Sequence, residues 1–438
     1  SCSASCPIYL TISLTGKTLR DACLEINWGP DCFAPPEWIG IYREDPSVSN
    51  LAPEVHIAGI QNRTGKRLTP FKLGKLHFPG GWQREEAEHA ASATSYAKGK
   101  CLPYYVASYN GTELLTIDCL KIQPNWMAHL KDAARMPLKQ LFLPGTHASG
   151  SYFDGYSKTK PSDVQSYVMT QHFDVWSQLV FGIRYLDLSV GALRANTDKG
   201  KSDADQFWVV NEHQFVNPLI GVLRDVRRFV ELSHEVVVLD FSSFPLGFYK
   251  HPDVYSNLFK LITQELGSVA YARNVSSNEH CADRTFEDLQ QSGRQVLLLF
   301  PTQELPHPEN ESELLCTPWQ RFSTSYLNIS QTLDYMRMLF RKKKDSVVQD
   351  DGWIFLARTS FEHGYNMRRK FQPTKERAAL VNPKVNLWLS GPWGFNANVV
   401  AMDFFSNTNL IDLAINVNTH KAYLASTEKF TNLEIPIR

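Results

Sequence analysis

Two histidines and three aspartates end or interrupt apolar runs in this chain, which is the material of acid–base chemistry. His147 follows Leu141-Phe142-Leu143-Pro144-Gly145-Thr146, and His213 closes Phe207-Trp208-Val209-Val210-Asn211-Glu212. An apolar run that ends in a polar residue reads as a buried strand delivering a side chain to its carboxyl end. Two imidazoles on one face can act as general base and general acid, because imidazole titrates near neutral pH. Either histidine alone could be a loop residue without a chemical role. Their position on successive strand ends favours the chemical reading.

Asp187, Asp240 and Asp403 each sit inside an otherwise apolar run. A carboxylate in such a run is costly unless it is paired. One reading is a structural pair with Arg184 or a backbone amide. The other is a mouth residue that orients a histidine or binds metal. Asp403, in Val399-Val400-Ala401-Met402-Asp403-Phe404, lies on the last candidate strand. That strand closes against the first, which makes Asp403 the natural partner of His147.

These side chains need a frame that opens all its strand ends on one face. The pattern predicts strands at 140–144, 182–190, 207–212, 235–241, 295–300, 353–358, 385–390 and 398–405. Between them, 217–233, 253–266 and 331–343 carry apolar residues at helical spacing. Alternating strands and helices mean a parallel β/α barrel with its site at the carboxyl ends. The 390–398 link is too short for a helix, so the barrel is expected to be irregular. Trp393 and Phe395 in that link, and Phe241, Phe244, Phe248 and Tyr249 after the fourth strand, are either core or an apolar rim. The basic runs 341–344 and 368–370 read as solvated.

Residues 1–122 have a different texture. Short alternating runs at 8–14, 23–28, 38–42, 104–109 and 114–120 predict a β-sandwich, and Asn110-Gly111-Thr112 marks a hairpin. Residues 61–98 are polar and poorly periodic, which predicts a long glycosylated loop. The chain thus divides into a sandwich over 1–122 and a barrel over 123–438, and only the barrel carries a catalytic constellation.

Lys and Arg number 45, as do Asp and Glu, so no global field draws the 438-residue chain to nucleic acid. Eight cysteines occur without a CxxC pair, which favours disulfides over zinc. Cys281 and Cys316, alone in the second part, are expected to pair; Cys23–Cys32 and Cys101–Cys119 are plausible on proximity. Sequons stand at Asn62, Asn110, Asn274, Asn310 and Asn328. With the cysteines they predict a secreted glycoprotein. A start at Ser1 fits a removed signal peptide.

Leu143-Pro144-Gly145-Thr146-His147, Gly182-Ile183-Arg184-Tyr185-Leu186-Asp187-Leu188, Glu212-His213, Val237-Val238-Leu239-Asp240-Phe241 and Met402-Asp403-Phe404 together resemble the X-domain phosphatidylinositol-specific phospholipases C. Within that family the chain is similar to the X-domain-only proteins of animals. Glu37-Trp38-Ile39-Gly40-Ile41-Tyr42, outside that match, faintly resembles a strand of SKICH-like sandwiches. The resemblance implies a distorted TIM barrel and two-step cleavage of phosphatidylinositol or a GPI-type lipid through a cyclic inositol phosphate. It makes His147 the general base, Asp403 the acid that holds it and His213 the general acid. Asp187 joins them in the catalytic set. Arg184, Asp240, Ser189 and Trp393 are the expected substrate contacts, at a membrane or lipoprotein surface.

Two positions depart from the family pattern. Ala148 stands where an acid or amide usually follows the first histidine. Ser189 stands where metal-free members have arginine and calcium-dependent ones aspartate. Asp187 and Asp240 alone make a poor calcium site, so no cofactor is expected, with calcium as the alternative. Arg184 is a possible substitute for the missing arginine. A degenerate barrel that binds lipid or a partner without turnover is the competing reading.

Overall fold

The structure is a computed structural model. It describes residues 6–431 apart from 17, 30–33, 90–98, 131, 154–161, 194–205, 275–279, 302–311, 324–329, 332, 336, 339–340, 342–351 and 359–372.

Among the described residues, seven strands precede residue 123: β1 (Ile8–Ile12), β2 (Cys23–Trp28), β3 (Trp38–Tyr42), β4 (Val55–Ala58), β5 (Gly65–Lys72), β6 (Lys100–Asn110) and β7 (Glu113–Ile122). They form two antiparallel sheets, ordered β1-β2-β5 and β4-β3-β6-β7. Period-two burial explains the pairing: Ile8, Leu10, Ile12, Leu24, Ile26, Ile39 and Ile41 all turn inward. The loop expected over 61–98 is instead β5 followed by helix Arg84–His89. Only Thr69 and Phe71 of β5 are buried, so its alternation is too brief to read from sequence.

Eight parallel strands follow: β8 (Leu143–Thr146), β9 (Tyr185–Ala192), β12 (Val237–Leu246), β13 (Val296–Leu299), β14 (Leu315–Cys316), β15 (Gln320–Ser323), β16 (Trp353–Ala357) and β17 (Val399–Met402). They run in chain order around the lumen, and β17 closes on β8 with Met402 opposite Thr146. Among the described strands the ring opens between β14 and β15. Strand β10 (Phe207–Asn211) and β11 (Gln214–Pro218) form a hairpin whose β10 runs antiparallel to β9.

Helices Leu219–Ser233 and Pro252–Leu266 occupy two of the expected stretches, and the described residues of the third are helical. The strand expected at 385–390 is the end of helix Thr374–Leu389. Val381, Val385 and Leu389 recur every four residues on its buried face, and this packing overrides the local alternation. The 390–398 link holds a short helix after all, Pro392–Asn396. Phe241 and Phe248 are core and Phe244 packs on it, whereas Tyr249 is 81% exposed. Residues 342–344 and 368–370 lie outside the described residues.

One hydrophobic core runs from Ile8 through both parts to Ala414. Arg84 ties its helix to Asp174 and Asp225, and Lys121 of β7 bridges Asp118 and Asp412. Cys101–Cys119 and Cys281–Cys316 are disulfides, and Cys6 is also disulfide-bonded. Cys23 is a free thiol, so the Cys23–Cys32 pair does not form. The side chains of Asn62, Asn110 and Asn274 are exposed; Asn310 and Asn328 lie outside the described residues.

Candidate active site

Adjacent strands β8 and β17 end level with each other, so the next residue of each, His147 and Asp403, meet at the mouth. His147 Nδ1 lies 2.7 Å from Asp403 Oδ1, and both side chains are buried. An ionised Asp403 accepts the Nδ1 proton and leaves the Nε2 lone pair for the cavity. Ala148 and Phe404, one residue on, both have left-handed backbone, with φ of 41° and 51°. Such conformations cost about 1–3 kcal/mol each and persist only where the surroundings enforce them. Here the segment Thr170-Gln171 does so. Thr170 O accepts from Phe404 N at 2.7 Å, and Thr170 Oγ1 donates to Ala148 O at 3.0 Å. Gln171 Nε2 donates to His147 O at 3.0 Å and Met402 O at 2.9 Å.

Asp187 on β9 accepts from Ala148 N at 3.0 Å, and the same Oδ2 is 3.8 Å from His147 Nε2. Its Oδ1 is buried without a protein partner. Asp240 on β12 is fully buried. Tyr185 Oη donates to Asp240 Oδ2 at 2.6 Å, Arg321 Nε donates to that oxygen at 2.8 Å, and Arg321 Nη2 engages Oδ1. Burial pushes the Asp240 carboxyl up to about 6 against the pull of Arg321. Burial lowers the Arg321 guanidinium, but Asp240, Tyr185 and Asp187 together outweigh it and hold it above its ordinary value. Gly145 makes room for this arrangement: a Cβ there would meet the Tyr185 ring at 2.8 Å.

His213 reaches the mouth by a route the sequence does not suggest. It is not on a barrel strand but at the tip of the β10–β11 hairpin, which folds back antiparallel on β9. Glu212 and His213 have φ of 48° and 61°, the pair of left-handed residues that a tight hairpin turn demands. The exposed His213 ring borders a cavity of about 340 Å³ shared with His147, Asp187, Ser189, Arg321 and Arg358. Ser189 Oγ accepts from Ser243 Oγ at 2.8 Å.

Two expected substrate contacts lie elsewhere. Arg184 precedes β9, so it is at the opposite end of that strand from the mouth. It is fully buried, ion-paired to Glu235 at 2.7 Å and bonded to the carbonyls of Leu179, Ile183 and Pro124. Trp393 precedes β17 and for the same reason lies at the closed end, against Trp388. Links that enter a strand cannot line a mouth built by links that leave it. The cations that do line the cavity, Arg321 and Arg358, went unread in the sequence. Their signal was indirect: a buried aspartate such as Asp240 requires a cationic partner.

The donors do not fit calcium. Both oxygens of Asp240 are taken by Arg321 and Tyr185, which leaves Asp187 and Glu212 as the carboxylates bordering the cavity. Among the described residues no group of three His, Cys, Asp or Glu could hold a metal ion. Calcium requires about 6–8 oxygens.

A buried His–Asp pair, a hairpin histidine and a guanidinium at the mouth of a barrel invite comparison with known proteins. No family model matches the chain. It is 30% identical over 142 residues to a PI-PLC X-box domain-containing protein of Dictyostelium discoideum, covering 30% of this chain and 17% of that protein. It is 26% identical over 215 residues to PI-PLC X domain-containing protein 3 of Homo sapiens, covering 42% of this chain and 63% of that protein. The structure of a phosphatidylinositol-specific phospholipase C from S. aureus superposes with a TM-score of 0.50 at 15% identity, covering 67% of this chain and 97% of that one. The chain has a phospholipase C-like fold. Its barrel has the PI-PLC fold, and the PI-PLC X domain-containing proteins are the relatives it resembles in sequence. The match spans less than two thirds of either relative's length.

Proposed function

We propose that this PI-PLC-like protein is a metal-independent phosphodiesterase acting on phosphatidylinositol or a glycosylated inositol lipid at a membrane or lipoprotein surface. The observation that carries the proposal is the buried His147–Asp403 pair, 2.7 Å apart, on one cavity with His213 and Arg321. His147 Nε2 takes the proton of the inositol 2-hydroxyl as its oxygen attacks phosphorus. Asp403 stabilises the imidazolium that results. The bond from phosphorus to the diacylglycerol oxygen breaks, and protonated His213 supplies that oxygen's proton. A cyclic inositol phosphate and diacylglycerol are the products. Arg321 faces the charge that gathers on the phosphoryl oxygens, the role in which a fixed cation lowers the barrier most. It thereby stands in for the arginine missing at Ser189.

We place the protein outside the cell. The disulfides and three exposed sequon asparagines support this, since reducing compartments rarely keep such bonds. The test is release of water-soluble inositol phosphate from phosphatidylinositol vesicles, with calcium, with chelator, and with His147→Ala as control. Chelator-resistant release that the variant lacks is expected. Release no greater than the variant's, with vesicle binding kept, would instead make the barrel a lipid-binding relative without turnover.

A further inference from the structure

The turn Phe405–Asn407 follows Asp403 and Phe404 directly, and the N-terminal sheets hold it from outside the barrel. Asn407 Nδ2 donates at 2.9 Å to Ile12 O of β1 and at 2.9 Å to Glu25 Oε2 of β2. Glu25 is itself 5% exposed, in a position where a carboxylate is expensive. Thr11 Oγ1 donates to it at 3.3 Å, and Lys66 Nζ of β5 lies 3.4 Å away. Inside the turn, Asn407 N donates to Phe404 O at 2.9 Å. From the other side, Asn382 Nδ2 of helix Thr374–Leu389 holds Asp403 O at 3.0 Å. The turn after Asp403 is thus linked by hydrogen bonds to β1 and β2 on one side and to helix Thr374–Leu389 on the other.

We infer that the β-sandwich positions the catalytic pair: Glu25 and Asn407 fix the turn after Asp403, and so aim its carboxylate at His147. Three features support a positioning role over simple attachment. The sandwich is already anchored to the barrel by the Arg84 and Lys121 ion pairs and by a shared apolar core, so attachment does not need a buried acid. The contact falls on the turn that leaves the catalytic strand, four residues from Asp403. The backbone between, at Phe404, is held left-handed and fully buried. A strained residue relaxes when one of its constraints is released, and here relaxation swings Asp403. Glu25 and Asn407 are positioning residues; neither borders the cavity that His147 lines.

This inference rests on the phosphodiesterase reading for its purpose, but it can be tested without turnover. The full chain, labelled at histidine, would be compared by NMR with Asn407→Asp, which sets a second carboxylate against Glu25, and with the milder Glu25→Gln. The probe is the low-field Nδ1 proton of His147 that the Asp403 bond creates, identified by its loss in Asp403→Asn. Broadening or an upfield shift of that signal is expected in Asn407→Asp, and a smaller one in Glu25→Gln. Where turnover is measurable, kcat should fall about tenfold in Asn407→Asp with KM unchanged. A His147 signal unmoved in the folded variants would overturn the inference, even with a lower melting temperature, because attachment alone would produce that. Should Asn407→Asp not fold, Glu25→Gln decides by the same signal. Absence of turnover in the wild type would count against the phosphodiesterase reading and leave the NMR outcome intact.

Discussion

Arg321 of β15 reaches across the lumen to Asp240 of β12, with Nε 2.8 Å from one carboxylate oxygen and Nη2 on the other. A two-pronged pair fixes the guanidinium plane as a single lysine charge would not. Arg321→Lys should therefore lower kcat/KM for inositol lipid by about 10²–10³-fold, the loss expected for one electrostatic contact to the transition state. Arg321→Ala should in addition melt earlier, because it leaves Asp240 buried without its partner. Vesicle turnover and thermal unfolding of the two variants check both parts. Equal kinetics for lysine and arginine would deny the planar fork a role.

The dyad makes a second expectation. His147→Ala and Asp403→Asn should each reduce turnover by about 10²–10⁴-fold, the range of general-base catalysis, while vesicle binding persists. Chelation should leave the wild-type rate unchanged, since Asp240 is committed to Arg321 and the remaining cavity carboxylates, Asp187 and Glu212, supply too few oxygens for calcium. A rate that collapses with chelator and returns with calcium would refute the metal-free reading.

Asp225 provides a pH test of stability apart from the site. Burial raises its carboxyl from 3.8 to about 6, despite the opposing charge of Arg84. The folded chain then binds this proton more tightly than the unfolded chain does. Its contribution is complete below pH about 4 and is lost as pH rises through about 6. Asp225→Asn should accordingly gain on the wild type as pH climbs from 4 to above 6, measured by urea midpoints. A difference constant across that window would contradict the shift.

Arg184 is expected to behave as a structural residue. Arg184→Met leaves Glu235 buried and unpaired, which costs about 3–5 kcal/mol. The yield of folded protein and its melting point should fall, while turnover per folded molecule stays near wild type. Conversely, Trp393→Ala at the closed end should not alter vesicle binding. A binding defect with intact melting would return Trp393 to the lipid surface.

The sequence exposes most of the frame and part of the site, and the reasons are physical. Long apolar strands such as β9 and β12 and amphipathic helices such as Leu219–Ser233 carry their period within themselves. The two-residue β14 and four-residue β15 carry none, and they exist because their neighbours offer backbone partners. His147, Asp187 and Asp403 are legible because each directly ends or interrupts an apolar run. His213 borders the cavity from a hairpin tip rather than a strand end, because a turn of two left-handed non-glycine residues has no turn signature. Arg184 and Trp393 lie away from the mouth because both precede their strands. Arg321 is invisible locally, because only the lumen brings it to Asp240.

Between β14 and β15 the ring of described strands lacks strand-to-strand hydrogen bonds, and only Thr317-Pro318-Trp319 carry the chain from one to the other. The β14 end is riveted by Cys316 to Cys281. On the β15 side, Arg321 braces the ring across the lumen by its pair with Asp240. The charge proposed to serve the reaction therefore also compensates the buried carboxyl of Asp240. A lineage that lost catalysis would still be held to this arginine by the cost of burying Asp240 without it, so its persistence in a relative would not by itself be a mark of activity.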